Sequence, residues 1–416
     1  MSIILKMAWR NIWRNRLRSS VVIGSVVVGI WALVFLNAWM RGMINGYVQN
    51  AIKNEVSHIQ IHHSAFMEDK EAKYFIENTD SLLNKLKKLP GIEAMSSRTI
   101  LNGMLAAARG NIGVRIIGIE PQSEAKITGL DKKIQQGSYF ENIQSKKVPI
   151  LVSEKTAERL KLTLKSNVSL QFQTLDGDSR IGCKVIGIYR GINNRTDLIT
   201  VFLPQHQLNK TFTGSSDSSI SALSDISHEI AIMLESTKLL DETKIKIKAL
   251  AMPYKTEDYK EIAPDTALME SFIEMGLWVI IWIVMFALVF GIINTMLMAV
   301  LERYRELGML MSIGMGRASV FMMIVTETIV LSVIGAPLGM LLGRITVFIT
   351  HKQGISLSTY SEAMRQYGLS ELIRPETDTA IYWKVSIAIV LTAIIGAIYP
   401  AYRALSLRPA DAIRKI

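Results

Sequence analysis

Four long apolar runs constrain this chain more than any other feature of its sequence. They cover residues 19–40, 275–301, 318–343 and 385–402, and the only Asp, Glu, Lys or Arg within them is Glu327. A bilayer core about 30 Å thick is crossed by roughly 20 apolar residues in a helix. The runs therefore predict four membrane-spanning helices, and they argue against a disordered or purely soluble chain.

Basic residues are concentrated on the three segments that four spans must place on one side of the membrane. Residues 1–18, 302–317 and 403–416 together hold twelve Lys or Arg and three Asp or Glu. The positive-inside rule makes these segments cytoplasmic. The predicted location is therefore the cell inner (cytoplasmic) membrane, with both termini in the cytoplasm. The net charge of +11 then reflects membrane orientation, which removes the main support for nucleic-acid binding.

The predicted fold class is an integral membrane α-helical protein with a large α+β extracytoplasmic domain, with one span before that domain and three after it. The predicted segments are a cytoplasmic interfacial helix (1–18), the first span (19–41), the outer domain (42–271), the second span with an outer stalk (272–301), a cytoplasmic loop helix (302–317), the third span (318–343), an outer loop (344–383), the fourth span (384–402) and a cytoplasmic tail (403–416).

Within the outer domain, patterns of period two predict strands and patterns of period 3.6 predict helices. The strand patterns cover 57–62, 114–119, 149–152, 168–172, 184–188, 198–202 and 230–234, and the helical ones cover 80–89, 155–162 and 237–250. Asp80 is the predicted N-cap of the first helix, residues 176–178 a hairpin turn, and residues 214–227 a surface loop. We expect an α+β lobe made from both ends of this region and a β-rich lobe inserted between them.

No catalytic or metal site is predicted. His58 and His62 stand four residues apart and His63 follows, but no carboxylate or cysteine stands at matching spacing, so these are interpreted as ordinary strand and turn histidines. A single cysteine, Cys183, forbids an internal disulfide. The Gly-x-x-x-x-Gly-Lys-Ser/Thr phosphate-binding loop is absent, so ATP hydrolysis is expected in a separate partner.

Polar and small residues inside the spans suggest helix contacts. Glu327 must face other helices, water or a protonated state, because exposure to lipid is costly. One interpretation is a proton or substrate path, and the favoured one is a polar contact with a neighbouring helix near Asn294. Gly335, Gly339 and Gly343 recur every four residues, which predicts a close helix contact, with chance glycine enrichment as the alternative.

The loop helix between the second and third spans carries the strongest functional signal. Its apolar residues at helical spacing could enter a groove on another protein, and the alternative is a plain interfacial helix. The residues predicted to couple to an ATPase are Glu302, Arg303, Glu306, Leu307, Gly308, Leu310 and Met311.

Three motifs resemble the MacB/LolC/LolE/FtsX class of ABC-transporter permease. Residues 300–310 (Val-Leu-Glu-Arg-Tyr-Arg-Glu-Leu-Gly-Met-Leu) with 313–317 and Glu327 are similar to its signature, as are the opening residues 8–15 and the closing residues 399–404 and 408–413. The resemblance implies a dimer of two permease chains, homo- or heteromeric, and a separate ATPase pair that docks on the loop helix. ATP and Mg then belong to that partner, and the outer domains move as ATP is bound and hydrolysed.

The resemblance leaves three functions to compare. MacB carries its ATPase on the same chain, so the absence of a phosphate-binding loop points toward the lipoprotein-release, peptide-efflux and FtsX-type branches. The first function is transport of a lipoprotein, peptide or amphiphile, and the alternative is mechanical activation of an extracytoplasmic cell-wall hydrolase. The third, a membrane receptor, is weakened because the predicted cytoplasmic segments are too short for a signalling domain. The large outer region favours transport.

Overall fold

A computed structural model describes residues 2–69, 71–140, 147–175, 177–191, 199–213 and 225–405. The chain divides into two compact units. The first, called the helical unit below, comprises residues 1–45, 270–357 and 372–416. The second, called the sheet unit, comprises residues 46–269 and 358–371.

The secondary structure alternates long helices with a block of strands. The α-helices are α1 Ser2–Arg14, α2 Arg16–Ala51, α3 Phe66–Asp69, α4 Thr79–Leu86, α5 Pro121–Thr128, α6 Glu154–Leu160, α7 Gln205–Phe212, α8 Leu240–Leu250, α9 Tyr259–Ile262, α10 Pro264–Glu302, α11 Tyr304–Ser312, α12 Arg317–Gln353, α13 Ser361–Gln366 and α14 Thr379–Leu405. The strands are β1 Ile59–His62, β2 Ile76–Glu77, β3 Ile92–Ala107, β4 Gly110–Ile119, β5 Ile134–Gly137, β6 Val148–Ser153, β7 Asn167–Thr174, β8 Gly177–Tyr189, β9 Thr200–Pro204, β10 Ile226–Ser227, β11 Glu229–Leu234, β12 Lys255–Asp258, β13 Ile355–Ser356 and β14 Leu372–Ile373.

The helical unit is built from the apolar runs. Four helices in the described part of the chain, α2, α10, α12 and α14, are long and apolar enough to cross a membrane. Each extends beyond its apolar run, and α10 begins at Pro264, where proline is well suited to the first helical turn. One apolar cluster of this unit joins α2 and α14 through Val26, Ile30, Ile381 and Val385.

The N-terminal segment forms a separate short helix. The sequence predicts one interfacial helix over residues 1–18, whereas α1 ends at Arg14 and α2 begins at Arg16. Ala8 and Ile12 are buried, while Trp9 and Trp13 are exposed and stack edge to face. The exposed tryptophans and the buried residues therefore lie on different faces of α1.

The sheet unit contains a mixed sheet of ten strands in the order β12-β1-β11-β3-β4-β9-β6-β8-β5, with β7 pairing to both β3 and β8. Strand β3 connects the two ends of this sheet because it changes partner along its length. Residues 92–98 pair with β11, and residues 103–106 pair with β7. A large apolar cluster fills the second half of the sheet and includes Leu105, Phe212 and the buried Cys183.

A buried ion triad fixes the place where β3 changes partner. Arg98 of β3 donates to Glu229 of β11 at 2.7 Å and to Glu124 of α5 at 2.8 Å. Burial alone would lower the pKa of Arg98, but the two carboxylates outweigh it and hold the pKa above its usual value. The guanidinium therefore stays charged, and it ties a strand, a helix and a second strand together.

Two expectations for the sheet unit need correction. The sequence predicts two lobes, but both belong to one continuous sheet, because the long strand β3, which was not predicted, runs through them. Asp80 does not cap α4; the helix begins at Thr79 after Asn78, whose left-handed backbone starts the turn. The predicted turn at Asp176 and most of the predicted loop 214–227 lie outside the described residues.

Candidate functional site

The candidate site is the loop helix α11 in the helical unit. Arg303 leaves helical geometry after α10, with φ −101° and ψ 18°, and α11 then runs to Ser312. The chain turns at Gly314, where φ is +105°, a conformation that glycine adopts without a steric penalty. Met315 donates its N–H to the carbonyl of Leu310 at 3.0 Å, which satisfies a helix-terminal acceptor. The loop is therefore a defined helix between two long helices.

An ion-pair network holds α11 to the rest of the helical unit. Arg303 donates Nη1 to Glu327 of α12 at 3.1 Å and Nε to Glu306 at 3.2 Å. Glu306 also accepts from Arg14 at the end of α1. Partial burial alone would raise the pKa of Glu306, but hydrogen bonds from Arg14 and Arg303 outweigh it and hold the pKa below its usual value. Four charges therefore connect α1, α11 and α12.

Apolar contacts hold the same face of α11. Leu307 is only 2% exposed and packs in a cluster with Ile12 of α1 and Met323 of α12. Leu310 and Met311 are half-buried against this cluster, and Gly308 is buried. The residues predicted to enter a groove on an ATPase therefore face their own bundle. Their burial means that other side chains of α11 must contact a partner. A pattern of apolar residues at helical spacing does not say which protein those residues contact.

A different stripe of α11 and its C-terminal turn faces outward. Arg305 is exposed, Met309 is 54% exposed and Ile313 is 79% exposed. These positions are spaced by four residues, so they follow one another along one side of the helix. We call Arg305, Met309 and Ile313 the outer stripe. Of the predicted coupling residues, Glu302 is also exposed, whereas Arg303 and Glu306 belong to the ion-pair network.

The partner of Glu327 differs from the one that the sequence suggests. Its side chain is buried and accepts hydrogen bonds from Arg303, whereas Asn294 is exposed on α10. The polar contact therefore exists, but its donor is a cation at the start of the loop helix and not the amide of Asn294. A buried carboxylate that is paired in this way is stabilised as an ion pair.

The three glycines of α12 pack closely against α2. A Cβ built on Gly335, Gly339 or Gly343 would lie 2.8–2.9 Å from the side chain of Val26, Ile30 or Val34, respectively. Such distances are too short for real atoms, so only glycine allows these helix surfaces to approach. The contact joins two helices of the same chain.

Comparisons with known proteins assign this architecture to a family. The sequence profile of the MacB-like periplasmic core domain matches residues 19–250, more than half of the chain, and that of the FtsX-like permease C-terminal domain matches residues 278–409. The chain belongs to the FtsX-like permease family. The resemblance inferred from its motifs is confirmed, and the chain is an ABC-transporter permease of the MacB, LolC and FtsX class.

Two curated relatives of this FtsX-like permease differ in how much of their length they share with it. The macrolide export ATP-binding/permease protein MacB of Escherichia coli is 22% identical over 366 residues, which cover 86% of this chain and 54% of MacB. The chain thus spans about half the length of the MacB relatives. The lipoprotein-releasing system transmembrane protein LolC of Neisseria meningitidis serogroup B is 22% identical over 413 residues, covering 95% of this chain and 93% of LolC.

Among solved structures, the periplasmic region of MacB from Actinobacillus actinomycetemcomitans aligns with 54% of this chain and 94% of its own, with 17% identity and a TM-score of 0.36.

The histidines of the sheet unit are engaged in local contacts. His58 accepts from the N–H of Leu234 at 3.2 Å, and His62 lies 2.7 Å from Glu257. His63 stacks on Tyr74. Among the described residues, no group of three His, Cys, Asp or Glu side chains is arranged to hold a metal ion.

Sequence reasoning missed two residues of the ion-pair network in the roles they have here. Arg14 was not among the predicted site residues, and Arg303 was predicted only to couple to an ATPase. The spacing of Arg303 from Glu306 carries a local signal, since residues three apart share a helix face. Nothing in the sequence pairs Arg303 with Glu327, or Arg14 with Glu306, because these contacts depend on how separate helices pack.

Proposed function

We propose that this FtsX-like permease couples ATP binding and hydrolysis on a separate ATPase subunit to movement of its extracytoplasmic domain. The observation that carries the proposal is the outer stripe of α11. It offers apolar and basic side chains to a partner, while the opposite side of the same helix is held by Arg303, Glu306 and Leu307. Force applied to such a helix passes to α1 and α12, because ion pairs and apolar contacts join the three helices.

The membrane arrangement belongs to the same proposal. One span precedes the outer domain and three follow it, within the segment boundaries predicted from the sequence, and both termini lie in the cytoplasm. The charge balance of the three cytoplasmic segments supports this arrangement. ATP and Mg are bound by the ATPase subunit, and two permease chains, identical or different, form the dimer on which it docks.

We favour lipoprotein release, or export of a peptide or amphiphile, over activation of a cell-wall hydrolase. The support is the alignment with LolC, a transmembrane protein of a lipoprotein-releasing system, which covers nearly the full length of both chains. The sheet unit, with its ten-stranded sheet, is the part that would engage the transported molecule.

Photo-crosslinking tests the docking surface. Benzoylphenylalanine placed at Met309 or Ile313 is expected to give, in cells, a crosslinked product that contains an ABC ATPase, identified by mass spectrometry. The matched control is Met252, a 76% exposed methionine of the sheet unit, which should give no such product. Absence of an ATPase from the products at both 309 and 313 would contradict the proposal.

Charge substitutions separate docking from folding. Ile313→Asp should abolish the ATPase crosslink from Met309 while the chain still accumulates in the membrane, because position 313 is outside the core. Leu307→Asp should instead lower the amount of folded chain, because it places an unpaired carboxylate in an apolar cluster. Equal accumulation of Leu307→Asp and wild type would contradict the burial of Leu307.

A further inference from the structure

A pocket of about 150 Å³ lies within the helical unit, between α2, α10 and α14. Its polar lining residues stand where the apolar runs stop: Arg41 follows the run 19–40, Glu274 precedes the run 275–301, and Lys384 precedes the run 385–402. Charged residues at the ends of apolar runs lie at the level of lipid headgroups. The pocket is therefore at a membrane interface, and at the opposite end of α2 and α10 from the loop helix.

The lining carries charges of both signs. Arg41 and Lys384 supply cations from α2 and α14, whereas Glu270 and Glu274 supply carboxylates from α10. Arg41 contacts Asp378 at 3.6 Å through Nη2, which leaves its Nε for another partner. A ligand that matches this lining carries a cation and an anion a few ångströms apart.

Two buried polar atoms of the pocket lining have no hydrogen-bond partner among the described residues. One is Oδ1 of Asn37, an acceptor on a side chain that is only 6% exposed, and the other is Nε of Arg41, a donor. Both residues line the pocket. A buried polar atom without a partner is costly, so such atoms mark places where a ligand completes the hydrogen bonding. Asn37 requires an N–H or O–H donor, and Arg41 requires an anionic or carbonyl oxygen.

We propose that this pocket binds the headgroup of a zwitterionic phospholipid with a primary ammonium group, as in phosphatidylethanolamine. Its ammonium donates to Asn37 Oδ1 and pairs with Glu274, and its phosphate accepts from Arg41 and pairs with Lys384. Leu277, Ile281 and Ile381 supply the apolar part of the lining, against which the start of the acyl chains packs.

The lining discriminates among lipid headgroups. A choline headgroup carries the same two charges, but its quaternary ammonium has no N–H group and cannot donate to Asn37. A glycerol headgroup has hydroxyl donors but no cation, so it brings no opposite charge to Glu274 beside its phosphate. Only a primary ammonium satisfies both the acceptor on Asn37 and the carboxylate of Glu274.

Native mass spectrometry of the detergent-purified, full-length chain tests the proposal. The chain is titrated with phosphatidylethanolamine, phosphatidylcholine or phosphatidylglycerol of identical acyl chains. Phosphatidylethanolamine should bind with an apparent Kd about tenfold lower than either of the others, the change expected for one hydrogen bond to a charged group. Equal affinity for the three lipids would overturn the proposal and indicate ordinary lipid contacts of interfacial charges.

Matched variants locate the binding. Asn37→Leu and Arg41→Gln should each raise the Kd for phosphatidylethanolamine about tenfold. The same substitutions at residues outside the pocket, Asn294→Leu and Arg344→Gln, should leave it unchanged. Because Asn37→Leu could disturb packing, Lys384→Gln at an exposed position provides a second test. Wild-type affinity in both Arg41→Gln and Lys384→Gln would overturn the assignment.

A soluble competitor distinguishes a lipid from a small zwitterion. Phosphoethanolamine lacks acyl chains, so at equal concentration it should not displace phosphatidylethanolamine from the chain. Displacement would overturn the lipid assignment. The pocket variants should also leave the ATPase crosslinks of α11 intact. Failure of the lipid experiment can therefore be told apart from failure of the proposed coupling.

Discussion

Arg303 joins the loop helix to α12 through the least exposed ion pair of the network. Its side chain is 12% exposed and that of Glu327 is 5% exposed, whereas Glu306 is 44% exposed. Arg303→Gln leaves a buried carboxylate without a cation, which should lower the free energy of unfolding by about 3–5 kcal/mol. Glu306→Gln should cost only about 0–1 kcal/mol, because solvent already screens that pair.

Unfolding of the detergent-purified chain, followed by tryptophan fluorescence, ranks these variants. The control is the double variant Arg303→Met with Glu327→Leu, which removes both charges and should recover most of the stability lost in Arg303→Gln. If the double variant is less stable than Arg303→Gln, the loss does not arise from an unpaired carboxylate.

A second residue, His228 of the sheet unit, should make stability depend on pH. Its Nε2 lies 2.9 Å from the carbonyl of Ala72, and its Nδ1 accepts from the N–H of Ile100 at 3.3 Å, an arrangement that fits the neutral ring. Burial lowers the pKa of His228 from 6.5 to about 4. The unfolded chain then binds more protons than the folded one between these values, so stability should fall as the pH drops from 6.5 toward 4.

The expected loss follows from the pKa difference. At about 1.4 kcal/mol per pKa unit, the shift corresponds to about 3 kcal/mol, fully present above pH 6.5. Cys183 is the only cysteine and is buried, so a dipyridyl disulfide labels it when the sheet-unit core opens. The measured quantity is the labelling rate of the folded chain at each pH, divided by the labelling rate of the unfolded chain at the same pH. His228→Leu should remove this part of the pH dependence, and His206→Gln, at an exposed position, should retain it. An unchanged pH profile in His228→Leu would contradict the assignment.

At the scale of elements, the contact between α2 and α12 depends on close approach. A Cβ at Gly339 would lie 2.8 Å from both Cβ of Ile30 and the carbonyl oxygen of Val27. Gly339→Leu should therefore force the helices apart and lower the thermal unfolding midpoint, because membrane helices associate through close packing. The matched control is Gly291→Leu on α10, where a Cβ meets nothing within 4 Å. Equal midpoints for the two variants would show that this contact does not stabilise the helical unit.

At the scale of the whole molecule, the charge balance predicts that the sheet unit and the loop helix lie on opposite sides of the membrane. In a Cys183→Ser background, Met252→Cys should react with an impermeant maleimide in spheroplasts, and Ile313→Cys only after permeabilisation. Both positions are more than three-quarters exposed, so accessibility within the fold does not limit the reaction. Asp217 and Lys415, which belong to the same predicted outer and cytoplasmic segments, lie outside the described residues. Labelling of position 252 only after permeabilisation would reverse the topology.

The sequence by itself determined the properties that depend on neighbouring residues. Hydropathy identified the long apolar helices, and alternation identified strands such as β6 and β11 within a residue or two of their ends. The motifs at 8–15, 300–310 and 399–404 indicated the family, because each is a continuous segment. Such signals are local, so no knowledge of the packed chain is needed to read them.

Only the tertiary structure decided which surface each of these elements presents. Leu307 and Ile313 are both apolar residues of the predicted loop segment, and only Leu307 was predicted to couple to an ATPase. Packing against Ile12 and Met323 buries Leu307, whereas Ile313 is exposed. Likewise, β3 was not predicted, and one of its partners, β11, lies more than a hundred residues away in the sequence. Burial and ion pairing depend on residues that are distant in sequence, and that is why the outer stripe and the partner of Glu327 could not be predicted.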